Sequence, residues 1–278
     1  MNVIIGTVLL LAIMGIFLAI YTAYQKLHGG EETLFGCASC ASHDYCESYK
    51  AGARECDSPV DAKEKKYEAV FFDLDGTLLD TLADLKNAVN VSLEAAGMPK
   101  RSMDEVRQFV GNGIHLLIER AVPEGTAPEK TEEVFAAFKS YYTEHCLEET
   151  KAYVGVQAML TAVHGKGYPM AVITNKNEEA AKSLIQTVFK GKIGLTVGQH
   201  DGVAKKPAPD MFLLTAKKLH VNAKNVLYVG DSDVDLMFAN SVGCDCVTVS
   251  WGFRGREFLK EAGAKTIIDK PSELVDIL

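Results

Sequence analysis

The sequence predicts an α/β fold in which a doubly wound parallel sheet carries an inserted, all-helical segment. Three observations lead there. Short apolar runs alternate with helix-period segments from residue 68 to the end of the chain, the rhythm of β-α units. Residues 82–150 break that rhythm with helical patterns alone. Acidic, hydroxyl and lysine side chains gather where the apolar runs end, the edge at which open α/β sheets bind ligands.

The chain has 278 residues, room for one α/β domain and a smaller appendage. Its hydrophobic fraction of 47% suits a packed core. With 37 acidic against 29 basic residues the net charge is −8, which leaves no electrostatic footprint for nucleic acid.

From Met1 to Gln25 there is no charged side chain, and Val3 to Tyr24 is almost wholly apolar. As a helix that run would measure roughly 33 Å, enough to cross a bilayer core. Tyr21 and Tyr24 close it, as aromatic rings do at an interface. No Lys or Arg precedes the run and no A-x-A pattern follows, which argues against a cleaved signal. The expectation is a transmembrane helix over residues 1–25 and a single-pass membrane protein. Lys26, Lys50, Arg54, Lys63, Lys65 and Lys66 all follow the span, so the positive-inside rule puts the catalytic part in the cytoplasm.

Residues 26–67 form a cysteine-rich neck and linker. Cys37, Cys40, Cys46 and Cys56 crowd together, the first two at C-x-x-C spacing, which lets two thiolates face one ion. A second metal or redox site and a reduced, loosely ordered linker are both open here. Residues 1–56 resemble the cysteine-rich membrane proteins associated with ferrous iron transporters, which implies a metal ion or an iron-transport partner at the neck. Residues 57–67, charged and carrying Pro59, read as linker.

The sheet begins at Glu68-Ala-Val-Phe-Phe-Asp, a short apolar run suited to a central strand. Later strand candidates are Met170-Ala-Val-Ile-Thr, Ile193-Gly-Leu-Thr-Val, Val226-Leu-Tyr-Val-Gly-Asp, Cys246-Val-Thr-Val-Ser and Thr266-Ile-Ile. Helices are expected near 156–165, 177–188, 209–219 and 233–242. In the insert, Leu82 to Ala96, Ile114 to Ala121 and Thr131 to Cys146 carry apolar residues at three- and four-residue steps. The domain reading is a core of 68–81 with 151–278, interrupted by a helical cap of 82–150, which could close over a site and exclude water.

Four segments carry the chemistry. In Asp73-Leu-Asp-Gly-Thr, strand alternation points Asp73 and Asp75 to one side, where they repel unless a cation intervenes. Gly76 permits the sharp turn. Thr174-Asn175-Lys176 places a hydroxyl and an amide at the next strand end, donors for phosphate oxygens. Lys206, held before Pro207, is a point charge for a phosphate. Gly230-Asp231-Ser232-Asp233-Val234-Asp235 supplies hard oxygen ligands suited to Mg²⁺. Each segment alone also reads as a helix cap or a surface loop.

In this order at successive strand ends, the four segments resemble the motifs of the haloacid dehalogenase-like hydrolases, and within them the phosphoglycolate phosphatase-like branch, over residues 68–278. The resemblance implies a Rossmann-like core with a helical cap after the first strand. It implies Asp73 as nucleophile and Asp75 as general acid and base. Thr174 and Asn175 would bind the phosphoryl group and Lys206 would offset its charge. Mg²⁺ would be held by Asp73, the Asp75 carbonyl and Asp231, with Asp235 acting through a water. The Val110-Gly-Asn-Gly113 segment with Arg120 is similar to the cap motif of that branch. The resemblance makes Gly111, Asn112, Gly113 and Arg120 candidates for the non-phosphate end of the substrate, a carboxylate suiting backbone N–H groups at a helix start, with Arg107 as a further pairing candidate.

The expected function is a Mg²⁺-dependent phosphatase acting on a small phosphorylated metabolite, with 2-phosphoglycolate as the example. A sugar phosphomutase or a pyrophosphatase of the same superfamily is the near alternative. Thr77 stands where the mutase signature usually carries valine, which favours hydrolysis. A membrane accessory protein for iron handling, with the cysteine neck as its working part, is the alternative from another class.

Overall fold

The computed structural model describes residues 65–278. A central six-stranded parallel sheet is built from β1 (Ala69–Phe72), β4 (Met170–Asn177), β5 (Leu195–Gln199), β6 (Val226–Gly230), β7 (Asp245–Val249) and β8 (Ile267–Ile268), in the spatial order β5-β4-β1-β6-β7-β8. Its helices are α5 (Val156–Gly165), α6 (Glu178–Phe189), α7 (Asp210–Leu219), α8 (Asp233–Val242), α9 (Gly255–Glu261) and α10 (Ser272–Ile277). From β1 the chain builds outward through β4 to β5, then returns to β6 on the other side and builds outward again. β1 is therefore the switch point, and a crevice opens beyond its carboxyl end, between β4 and β6.

All four β1 residues are fully buried, because both sheet faces are covered. Val70 and Phe72 join one apolar cluster with Leu160, Val172 and Leu184. Ala69 and Phe71 point the other way, into a cluster with Phe212, Tyr228 and Phe238. An unbroken apolar run is what such a strand requires, so β1 was legible without alternation.

Between β1 and β4 the chain forms β2 (Leu79–Asp80), then α1 (Leu82–Ala95), α2 (Met103–Phe109), α3 (Ile114–Ala121) and α4 (Pro128–His145), then β3 (Lys151–Ala152). The four helices pack around their own core, with Leu85, Val89, Leu93, Val106, Leu117, Ile118 and Phe138 at its centre. Ser102 starts α2 with a capping box closed by Glu105. The short pair β2 and β3, antiparallel, joins the two chain crossings at the base of the insert. Buried Asp84 ties them further, accepting from the backbone N–H of Glu149 (3.0 Å) and Thr150 (2.9 Å).

Two sequence expectations change here. The β5 strand runs Leu195–Gln199 and not from Ile193, because Ile193 packs into the core from the turn before it. The single-pass membrane placement is withdrawn: among the described residues no helix is long and apolar enough to cross a membrane. The run at residues 1–25 and the neck cysteines Cys37, Cys40, Cys46 and Cys56 lie outside the described residues.

Candidate active site

The crevice is built from four strand ends. The first turn after β1 carries Asp73 and Asp75. Gly76 turns the chain there with φ of 85°, and a Cβ on it would sit 2.3 Å from Asp231 Oδ2. Gly252, after β7, closes on the same carboxylate from the other side: a Cβ there would lie 2.4 Å from Asp231 Oδ2 and 2.5 Å from the Gly76 carbonyl. Asp231 thus sits in a slot that only glycines leave open, and it accepts a hydrogen bond from the Phe253 N–H (2.7 Å).

Lys206 lies at the centre of the charge arrangement. Its ammonium is 2.8 Å from Asp73 Oδ1 and 2.8 Å from Asp235 Oδ1, and it donates to the Tyr228 hydroxyl at 3.1 Å. Lysine and both acids are buried. Asn175 fixes the lysine's backbone from β4: its Oδ1 accepts from the Lys206 N–H (2.8 Å) and its amide donates to the Lys206 carbonyl (3.2 Å). Asp235 is bonded through both oxygens. Oδ1 meets Lys206 and Tyr228, while Oδ2 accepts from the N–H of Asp231 and Ser232 (both 3.2 Å) and from the Ser232 hydroxyl (2.6 Å). The Ser232 N–H contact belongs to the capping box that starts α8, in which the Asp235 N–H donates back to the Ser232 hydroxyl.

Burial dominates the electrostatics. It pushes the Asp73 carboxyl up to about 7, against the pull of Lys206 and with the repulsion of Asp235. It also lifts Asp231 well above the usual carboxylate range, with Asp235 and Asp73 adding to the effect. Lys206 is held above the ordinary lysine range, burial opposing and the two acids prevailing. Oxygens of Asp73, Asp231 and Asp235 all lie within 4.8 Å of one another. Three carboxylates face one ammonium and, once all are ionised around a cation, would exceed it by two negative charges. A set of hard oxygen donors with that excess fits Mg²⁺ in charge and in chemistry.

The pocket above these groups is lined by Asp73, Asp75, Thr174, Lys176, Lys206, Asp231 and Ser232 from the sheet, and by Leu85, Val110, Gly111, Gly113, Ile114 and Leu117 from the insert. Gly111 and Gly113 have φ of 122° and 92°. A Cβ on the first would come within 3.2 Å of an Arg254 guanidinium nitrogen, and on the second within 3.1 Å of the Lys205 ammonium. Arg254 is tied to this loop by donating to the carbonyls of Arg107, Gln108 and Val110.

A family model described as haloacid dehalogenase-like hydrolase matches residues 70–249. The chain belongs to the haloacid dehalogenase-like hydrolases. The predicted chemistry, a Mg²⁺-dependent phosphatase working through an aspartyl-phosphate, is typical of this family. Among curated relatives, phosphoglycolate phosphatase 1 of Pseudomonas aeruginosa is 32% identical over 74% of this chain and 78% of its own. The phosphoglycolate phosphatase of Chromobacterium violaceum is 32% identical over 77% and 97%. Crystal structures of two predicted phosphoglycolate phosphatases are also similar. That from Lactobacillus delbrueckii has a TM-score of 0.73 at 31% identity, covering 76% of this chain and 98% of its own. That from Haemophilus somnus has a TM-score of 0.72 at 26% identity, covering 77% and 99%. The family match begins at residue 70, so the resemblance of residues 1–56 to iron-transport accessory proteins gains no support from it.

The hydrolase fold brings Asp73, Asp75, Thr174, Asn175, Lys206, Asp231, Gly111 and Gly113 to one pocket. Asn112 and Arg120 instead line a neighbouring cleft with Arg107. Arg120 donates to the Phe109 carbonyl at 2.9 Å and so staples α3 to the end of α2. Arg107 pairs with Asp104 (2.5 Å). Asn175 directs its amide at the Lys206 carbonyl and toward the Gly111 carbonyl (3.4 Å), so it holds the loop that carries the lysine. Sequence reasoning missed Arg254 and Tyr142, which arrive from segments with no motif. It quoted Lys176 and gave it no role, although strand alternation puts it on the same side as Thr174.

Proposed function

We propose that this hydrolase cleaves a small phosphomonoester that carries a second anionic group, and that 2-phosphoglycolate is the substrate to try first. One observation carries the reading: Asp73 lies buried against Lys206 and beside Asp231, in a pocket that Thr174 also lines and that Val110, Gly111, Gly113, Ile114 and Leu117 close from the insert. An anionic nucleophile approaches an anionic phosphate only where cations neutralise the field. Lys206 supplies one positive charge there. The carboxylates of Asp73, Asp231 and, through water, Asp235 would hold Mg²⁺, which supplies the rest of the charge stabilisation when bound.

In this scheme an oxygen of Asp73 attacks phosphorus and the bond to the leaving oxygen breaks. Asp75 gives its proton to that oxygen. Asp75 then takes a proton from water, which attacks the aspartyl-phosphate and frees inorganic phosphate and Asp73. The Thr174 hydroxyl donates to a phosphoryl oxygen. Residues 82–150 act as a cap that excludes water from the first step. The names of the relatives support a two-carbon acid as substrate. The backbone of Gly111 and Gly113, which line the same pocket, would face the far end of such a substrate.

The test is a panel assay of the full chain with Mg²⁺, comparing 2-phosphoglycolate, sugar phosphates and pyrophosphate. Phosphoglycolate should be released as phosphate with the highest kcat/KM. Preference for pyrophosphate, or transfer of the phosphoryl group between sugar positions, would overturn the substrate assignment.

A further inference from the structure

Lys176 and Tyr142 form an arrangement that the scheme above does not use. The Lys176 ammonium sits 3.2 and 3.3 Å from the two oxygens of Asp75, so it faces the carboxylate fork evenly. It also donates to the Tyr142 hydroxyl at 2.7 Å and lies 4.7 Å from the centroid of that ring. Lys176 and Tyr142 are each 6% exposed. Asp75 and Lys176 stand on the sheet, at the ends of β1 and β4, whereas Tyr142 comes from α4 in the helical insert. Tyr142 in turn stacks on Phe138, at the centre of the insert's own core, with ring centroids 5.4 Å apart.

A buried ammonium has few partners to choose from, and losing one is costly. Here the two partners belong to different lobes. When the insert is seated, Tyr142 fills one side of the ammonium and Asp75 the other. Were the insert to lift, the ammonium would lose the hydroxyl and the ring together and meet water on that side. The Asp75 carboxylate would then lose its fixed position.

Resting on the phosphatase reading, we propose that Lys176 is a positioning residue that holds the Asp75 carboxyl toward the leaving oxygen, and that Tyr142 makes this hold depend on the seating of the helical insert. The step served is the first one: the Asp73 oxygen–phosphorus bond forms, the phosphorus–leaving oxygen bond breaks, and the Asp75 proton goes to the leaving oxygen. In this step Lys176 neither gives nor takes the transferred proton; it acts on the carboxyl that does.

This assignment makes a distinction that a structural role does not. An alkoxide leaving group needs the proton, whereas p-nitrophenolate departs without one. The value of kcat/KM covers events only through leaving-group departure, so it isolates this step from later hydrolysis of the aspartyl-phosphate. The experiment measures kcat/KM of full-chain wild type, Lys176→Met and Tyr142→Phe on 2-phosphoglycolate and on p-nitrophenyl phosphate, with Mg²⁺ throughout. Misplacing a reacting group by about 1 Å costs on the order of 100-fold. Lys176→Met should therefore lose about 100-fold on phosphoglycolate and less than about 5-fold on p-nitrophenyl phosphate. Tyr142→Phe keeps the ring and loses the hydroxyl, and should show the same bias at about 10-fold. Lys176→Arg should restore part of the loss.

Equal losses on both substrates, or none, would overturn the proposal while leaving the phosphatase reading intact. Should Lys176→Met fail to fold, the Tyr142→Phe bias alone decides the matter. Wild type inactive on both substrates would instead remove the phosphatase reading itself.

Discussion

Replacing Lys206 by Met keeps most of the side-chain volume and removes the ammonium that Asp73 and Asp235 share. Both acids lie 2.8 Å from it, Tyr228 lies 3.1 Å away, and all four groups are buried. Removing one partner of a buried ion pair typically costs about 3–5 kcal/mol, since the remaining charge has no water to turn to. In a domain of roughly 200 residues each kcal/mol shifts Tm by about 2–4 °C, so Lys206→Met should melt about 6–20 °C below wild type in EDTA. Two controls separate this cause from lost packing. Adding Asp73→Asn to Lys206→Met removes one of the stranded charges and should recover part of the loss, a non-additivity expected of groups in direct contact. Saturating Mg²⁺ should also recover part of it, because a ligand that binds only the folded state stabilises that state. The assay is thermal unfolding followed by circular dichroism at pH 7.5. A Tm within about 2 °C of wild type for the single variant, or purely additive effects in the double variant, would refute the charge argument.

The raised pKa of Asp73 gives a signed pH dependence. Its folded value, about 7, exceeds the ordinary value of 3.8, so between those values the folded state binds more protons. Stability from this group is full below about pH 4 and falls as pH rises through 7, by at most about 4 kcal/mol, so metal-free Tm should decline from pH 5 to 8 and Mg²⁺ should flatten the slope; a rise over that range contradicts the reasoning. Asp73→Asn should abolish turnover, by at least about 10⁴-fold, while metal-free Tm stays level or increases because Lys206 keeps Asp235 as its partner and the surplus buried negative charge is gone. Turnover within about tenfold of wild type would exclude Asp73 as nucleophile. Gly252→Ala would drive a methyl into Asp231 and the Gly76 backbone. It should lower Tm by roughly 1–3 kcal/mol equivalent and weaken Mg²⁺ activation, read by titrating activity against metal. EDTA should stop hydrolysis and Mg²⁺ restore it, and metal-independent turnover would remove the acidic cluster from its assigned role.

Much of the fold was legible because its signals are local. A fully apolar run such as Ala69–Phe72 has no use except as a strand covered on both faces, and helix-period patterns gave α5 and α8 with matching bounds. The two-residue strands β2 and β3 carried no such signal. They pair across the whole insert, and each is too short to show a period. In the pocket, Asp73 and Asp231 were legible because each directly follows a strand, Thr174 because it lies in the last half of β4, and Lys206 because it stands before a proline in the loop after β5. The partners that fix them were not. Tyr142 reads as one more apolar residue on α4, Arg254 as a loop cation, and Gly252 as a turn.

The sequence by itself determined the order of elements and the kinds of atom available for chemistry: carboxylates, one hydroxyl and a lysine, each placed at the end of a buried run by the period of the strand. Only the tertiary structure decided which of those atoms meet. It set Lys206 between Asp73 and Asp235, turned Arg120 away to Phe109, and closed Tyr142 onto Lys176 from the insert. Spacing along a chain fixes direction over a few residues, whereas contacts between segments far apart in the chain are set by how helices and sheet share one buried volume.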